Sequence, residues 1–194
     1  MITVTTDDGQ TPLDPDEAAG LIPAWIASRG DLNVAEEENI REGQAWMQRM
    51  VGRRDVPTQE FLRELHKRLF GKVWRWAGRY RSSEKNIGVA PSDISAELKN
   101  LFDDVRAWDE CNTYPLDERG ARLHHRLTWI HPFANGNGRC ARVFADANLT
   151  KHGLQAFDWD SRLPPNEQRS RYLAAIRAAD ARDYAPLLAL LRRH

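Results

Sequence analysis

Twelve consecutive residues, His131-Pro132-Phe133-Ala134-Asn135-Gly136-Asn137-Gly138-Arg139-Cys140-Ala141-Arg142, constrain this chain more than any other stretch. Leu123, Leu127 and Ile130 recur upstream at helical spacing, so a helix delivers His131 at its C-terminal end. Val143, Phe144 and Ala147 line one side of a second helix that starts near Gly138. Between the two, Gly136 and Gly138 permit φ > 0 and a close backbone approach to a ligand. Amides of such a turn, followed at once by a helix N-terminus, form an anion site. Arg139 and Arg142 lie three apart on the first helical turn and can reach one anion together. An imidazole beside a phosphate nest reads as a general base next to a nucleotide site, with Asn137 offering its side-chain amide to a phosphate oxygen.

The rest of the chain supplies helices around this loop. Asp14-Pro15-Asp16-Glu17 is a helix start, and that helix is expected through Ala18 to about Ile26. Asp31 or Asn33 can cap a second helix from Val34 to about Val51, and Thr58 opens a third that Gly71 ends. Ser92-Asp93 caps a fourth through Trp108; Pro115 to His131 is a fifth, and Arg139 to His152 a sixth. Pro164-Pro165 precedes a seventh helix with Tyr172, Ile176 and Ala179, and Leu187, Leu188, Leu190 and Leu191 mark a last short one. Only Arg81 to Pro91 loses the period, and Asn86-Ile87-Gly88-Val89 suggests a short hairpin or extended flap. Trp74 and Trp76 are assigned to packing. The expected fold class is a mostly α bundle with one small β-hairpin flap.

Charge and cysteine usage exclude several classes. Lys plus Arg and Asp plus Glu both number 28, so the net charge is zero and a general nucleic-acid or membrane-surface binder is not expected. Cys111 and Cys140 have no ligand spacing and read as reduced thiols. The first ten residues lack a signal-peptide pattern and no stretch is apolar enough to cross a bilayer, so a cytoplasmic location is expected. His124, His125 and His131 are close in sequence but face different ways on a helix, which argues against a shared metal. A P-loop is absent, since no Gly-rich run precedes Lys-Ser/Thr.

The row from His131 to Arg142 resembles the motif of the Fic/Doc family, His-Pro-Phe-x-(Asp or Glu)-Gly-Asn-Gly-Arg-x-x-Arg, and departs from it at Asn135. The resemblance implies a Fic-like helical bundle over about 57–194, preceded by an arm and helices over 1–56. It implies a protein adenylyltransferase that moves AMP from ATP onto a Ser, Thr or Tyr hydroxyl of a target protein, with Mg²⁺ as helper. In such enzymes the residue matching His131 takes the target's proton. Those matching Gly136, Asn137, Gly138, Arg139 and Arg142 hold the nucleotide, and the ring matching Phe133 anchors the loop. Gly138 and Arg139 favour nucleotide transfer over the phosphorylating Doc type. The segment 82–90, with Asn86, Ile87, Gly88 and Val89, matches the flap that docks the target in extended form. Asn135 stands where a metal-binding carboxylate is usual, so weakened metal binding is expected there.

The resemblance also points to an inhibitory helix with the pattern (Ser or Thr)-x-x-x-Glu-(Gly or Asn). Glu38-Asn39 fits its end, within about 33–51, while Val34 stands in place of Ser or Thr. Autoinhibition in cis through a Glu38–Arg142 ion pair is the resulting expectation. Periodicity by itself points to Glu36 as the inward carboxylate, because it lies four residues before Ile40. Two alternatives stand beside transfer: removal of AMP from a modified target using Glu38, and a non-catalytic nucleotide-binding interaction module. The target, the modified hydroxyl and the oligomeric state are not readable from the sequence.

Overall fold

A computed structural model describes residues 19–159 and 164–192, and seven α-helices account for most of them. They are α1 (Arg29–Met50), α2 (Gln59–Phe70), α3 (Ile94–Cys111), α4 (Leu116–Ile130), α5 (Asn137–Lys151), α6 (Pro165–Asp180) and α7 (Ala185–Leu191). Short 3₁₀ turns at Val51–Arg53 and Pro91–Asp93 link α1 to α2 and lead into α3. Helices α1 to α5 surround one core, in which Phe61, Leu65, Leu69, Trp74, Leu98, Phe133 and Phe144 are almost completely buried. Phe144 on α5 joins two elements by its ring, meeting Phe61 of α2 edge-on at 5.9 Å and Phe102 of α3 stacked at 5.5 Å. A smaller cluster of Ala121, Ala175, Ala179, Leu187, Leu190 and Leu191 holds α6 and α7 onto the outer side of α4.

Local chemistry explains most element ends. Thr58 caps α2 by accepting the Phe61 N–H at 3.1 Å, and Gly71 closes it, as the sequence indicates. Helix α1 begins earlier than expected. Ser28 is its N-cap, and Asp31 completes a capping box instead of capping by itself. The start of the expected first helix, Asp14 to Ala18, lies outside the described residues, and its remainder is not helical. Pro23 has no N–H and holds Ile22 away from helical backbone angles. Ile22 instead donates to Val73 O at 2.8 Å, Arg75 donates to Gly20 O at 2.8 Å, and Leu21 and Trp74 form an antiparallel bridge.

The β-hairpin flap does not form. Residues 82–90 follow bends without strand pairing, and the nearest β feature is a single bridge between Tyr80 and Phe133. The backbone of 81–89 is committed outward to the His131 turn instead of to itself: Arg81 N–H donates to Pro132 O at 2.9 Å and Val89 N–H to Ile130 O at 3.3 Å.

Candidate active site

Helix α4 ends on His131, which adopts the left-handed region (φ 54°, ψ 58°) while its N–H donates to Leu127 O at 3.1 Å. This cap turns the imidazole out of the helix direction. Its Nδ1 lies 3.3 Å from Thr128 O, and a carbonyl only accepts, so the proton sits on Nδ1 and Nε2 keeps its lone pair. Burial holds the His131 pKa below its ordinary value. The cations of Arg81 and Lys85 add to that, and the Thr128 carbonyl opposes it. The ring is therefore neutral near pH 7, the form a general base requires.

Phe133 drops into the core and fixes the loop that follows. Asn137 brackets it: Oδ1 accepts the Phe133 N–H and Nδ2 donates to Phe133 O, both at 2.8 Å. With 4 % exposure, the Asn137 side chain shapes the loop from inside, contrary to the expectation that it presents its amide to a phosphate. Gly136, at φ 75°, is the N-cap of α5, and a Cβ there would lie 2.7 Å from the Phe70 ring. Its N–H is taken by Asn135 Oδ1 at 2.6 Å. The amides that helix geometry leaves without intrahelical partners, and so the expected anion site, are those of the first turn of α5, beginning at Asn137. Gly138 on that turn faces open space.

Beneath the loop, His66 of α2 is fully buried and stacks on Phe133 at 3.7 Å. Its Nδ1 accepts the Gly78 N–H at 3.0 Å, so Nε2 carries the proton and donates to Asn135 O at 3.0 Å. Burial pushes its pKa down to about 3, which keeps it neutral.

The two motif arginines part company. Arg139 lies over the Phe70 ring at 4.8 Å and donates through Nη1 to Glu36 Oε2 at 2.6 Å. The other oxygen of Glu36 accepts the Trp74 indole N–H at 2.8 Å. Glu36 is buried and Glu38 is exposed, so the Glu38–Arg142 pair is replaced by Glu36–Arg139. The helical period placed the inward carboxylate correctly; the motif spacing did not. Asn39 is buried as well, but it serves the backbone, donating to Arg68 O and accepting from the Lys72 N–H. Arg142 stands over the rings of Tyr172 (4.6 Å) and Trp159 (5.4 Å), and its buried Nε has no hydrogen-bond partner among the described residues. Asp146, one turn on, accepts the Trp159 indole N–H and the Phe157 N–H and so fixes the ring beneath Arg142.

His131, Gly138 and Arg142 share one cavity of about 1010 Å³ with Ile87, Gly88 and Trp129. Three of the exposed large apolar side chains, Ile87, Trp129 and Leu173, stand around it. His124 and His125 do not line this cavity and are hydrogen-bonded to Tyr172 and to Asp180. The loop's own donors do not fit a resident Mg²⁺. Asn135 Oδ1 is a neutral oxygen already accepting Gly136, and no group of three His, Cys, Asp or Glu suited to a metal occurs among the described residues.

Sequence reading missed His66, Arg81 and Asp146, all buried polar groups that hold the loop or the Trp159 ring beneath Arg142. Only His66 carried a signal, a polar residue on the apolar face of Leu62, Leu65 and Leu69.

A helical bundle that closes around such a loop, with an imidazole at one helix end and arginines on the first turn of the next, is the Fic architecture. The model of the Fic/DOC family matches residues 56–149, and this chain belongs to that family. It is 29% identical over 183 residues to a probable protein adenylyltransferase, y4lH, of Sinorhizobium fredii, covering 88% of this chain and 92% of that one. It is also 29% identical over 136 residues to protein adenylyltransferase fic-1 of Caenorhabditis elegans, covering 68% of this chain. The chain spans about a quarter (26%) of that protein's length. BepC, an effector protein of Bartonella tribocorum solved with bound AMPPNP, superposes with a TM-score of 0.70 at 19% identity, over 92% of this chain and 96% of that one. At that identity the likeness is one of fold.

Proposed function

We propose that this chain is a protein adenylyltransferase. His131 Nε2 removes the proton from a target Ser, Thr or Tyr hydroxyl, the oxygen attacks the α-phosphorus of ATP, and pyrophosphate leaves. Arg142, the unpaired amides of the first turn of α5 and, once released from Glu36, Arg139 hold the phosphates and the charge that builds on them. Mg²⁺ belongs, in this reading, to the incoming triphosphate and not to the loop. The carrying observation is the single cavity lined by His131, Gly138 and Arg142, with the base in its neutral form. The names of the Sinorhizobium and Caenorhabditis relatives support the same reaction.

Within this reading, α1 restrains the transfer in cis through Glu36, which engages a guanidinium that the phosphates would need. The exposed position of Glu38 supports neither the original pair nor AMP removal by that carboxylate. Ile87 and Gly88 of the 82–90 segment line the cavity and suit a docking role for the target.

The test uses ATP labelled on the α- or the γ-phosphate, purified protein and a cell lysate as acceptor. Label from the α-position on protein, lost in His131→Ala, is the expected result. Label from the γ-position only would make the chain a kinase. No label in any variant with ATP binding intact would make it a nucleotide-binding module.

A further inference from the structure

We infer that Arg81 is a positioning residue that makes the 82–90 segment and His131 one mechanical unit, an inference that rests on His131 being the base. Arg81 is 5 % exposed and spends its guanidinium entirely on main-chain carbonyls. Nε donates to His131 O at 2.7 Å, Nη1 to Ser83 O at 3.0 Å, and Nη2 to Val89 O. One planar fork thus ties the start of the segment, its end and the turn that carries the base. Arg81 N–H to Pro132 O and Val89 N–H to Ile130 O close the same unit from the backbone side. Gly88 completes it: a Cβ there would lie 2.7 Å from both Arg81 Nη2 and His131 Cβ.

A buried cation with only neutral acceptors carries a desolvation cost that loop packing alone does not require. An ammonium is a single point and could not span three diverging carbonyls. What the arrangement supplies is register. A target lying along 82–90 is placed relative to the imidazole by a chain of direct hydrogen bonds, so that its hydroxyl meets Nε2 in a fixed geometry. Arg81 also faces His131 as a charge. Lys85 of the same segment also faces that ring, and Arg142 of α5 and Arg169 and Asp180 of α6 are the charged groups that line the cavity it opens onto.

The test compares full-length wild type, Arg81→Gln and Arg81→Lys by three readouts: hydrogen exchange of the Val89 amide, the NMR titration of the His131 ring, and kcat and KM for ATP. In Arg81→Gln we expect Val89 exchange faster and kcat lower by about tenfold each, with KM for ATP changed less than about twofold. The His131 titration moves to higher pH. Arg81→Lys keeps the titration near wild type but restores neither protection nor kcat. Wild-type exchange and titration in Arg81→Gln, with only a lowered melting temperature, would overturn the inference. If wild type transfers no AMP, exchange and titration still decide the coupling, and the transferase reading fails separately.

Discussion

Replacing Glu36 by Gln tests the proposed restraint on Arg139. The ion pair at 2.6 Å joins a nearly buried carboxylate to a guanidinium whose side chain is 40% exposed. A charge-assisted hydrogen bond contributes about 1.5–3 kcal/mol, and solvent screening at the arginine brings that to about 1 kcal/mol. Glutamine keeps an oxygen for the Trp74 indole N–H, so the packing between α1 and the Trp74 segment survives. With Arg139 released to the phosphates, about 1 kcal/mol appears as a KM for ATP lowered roughly fivefold, with kcat little changed. The assay is initial-rate transfer of α-labelled AMP against ATP concentration, with Glu38→Gln as a control expected to match wild type. Glu36→Ala also leaves the Trp74 indole N–H without its acceptor and is expected to lower stability by about 1–3 kcal/mol. A KM that rises in Glu36→Gln would refute the restraint: Glu36 would then be holding Arg139 in its productive orientation.

Three further outcomes follow from the geometry. Gly88→Ala, at φ 103° with 2.7 Å contacts to Arg81 and His131, is expected to displace the His131 imidazole and, in the proposed reading, lower kcat by roughly 100-fold; unchanged kcat would contradict that reading. Burial pushes the Asp146 carboxyl up to about 6 against hydrogen bonds from Trp159 and Phe157. The folded state therefore binds that proton more tightly, so this group's contribution to stability falls as pH rises from about 4 to 6; Asp146→Asn is expected to be about 2 kcal/mol more stable than wild type at pH 8 and to lose that advantage at pH 4, by chemical denaturation. His66 and His124 have the opposite sign. Both are pushed down to about 3 by burial, so the unfolded chain takes up protons they refuse. Their contribution is complete above the ordinary histidine range near 6.5 and is lost as pH falls toward 3, and His124→Gln is expected to flatten that acid limb.

Helices α2 to α7 were legible in the sequence because their signals are local. Thr58 and Gly71 bound α2 by their own chemistry, and the Pro164-Pro165 pair announces α6. The motif loop was legible for the same reason. What was not legible is carried by contacts between distant residues: Glu36 with Arg139, 103 positions apart; His66 with Asn135, 69 apart; Arg81 with His131, 50 apart. None leaves a mark in its own neighbourhood beyond a polar residue at a buried phase. The expected hairpin failed for a related reason. The 82–90 backbone has a better partner in the His131 turn than in itself, and Arg81 supplies the tie. At α1, periodicity and motif spacing disagreed by two residues, and side-chain burial follows periodicity because the helix must first pack against α2.

The backbone of His131 sets the interests of folding against those of chemistry. A left-handed helix terminus suits glycine, and holding any other residue there costs about 1 kcal/mol. The most economical sequence for this bundle would thus have no imidazole at 131. Laboratory evolution that rewards only thermal endurance is expected to erode this position early, yielding sturdier proteins that keep the fold and lose the imidazole.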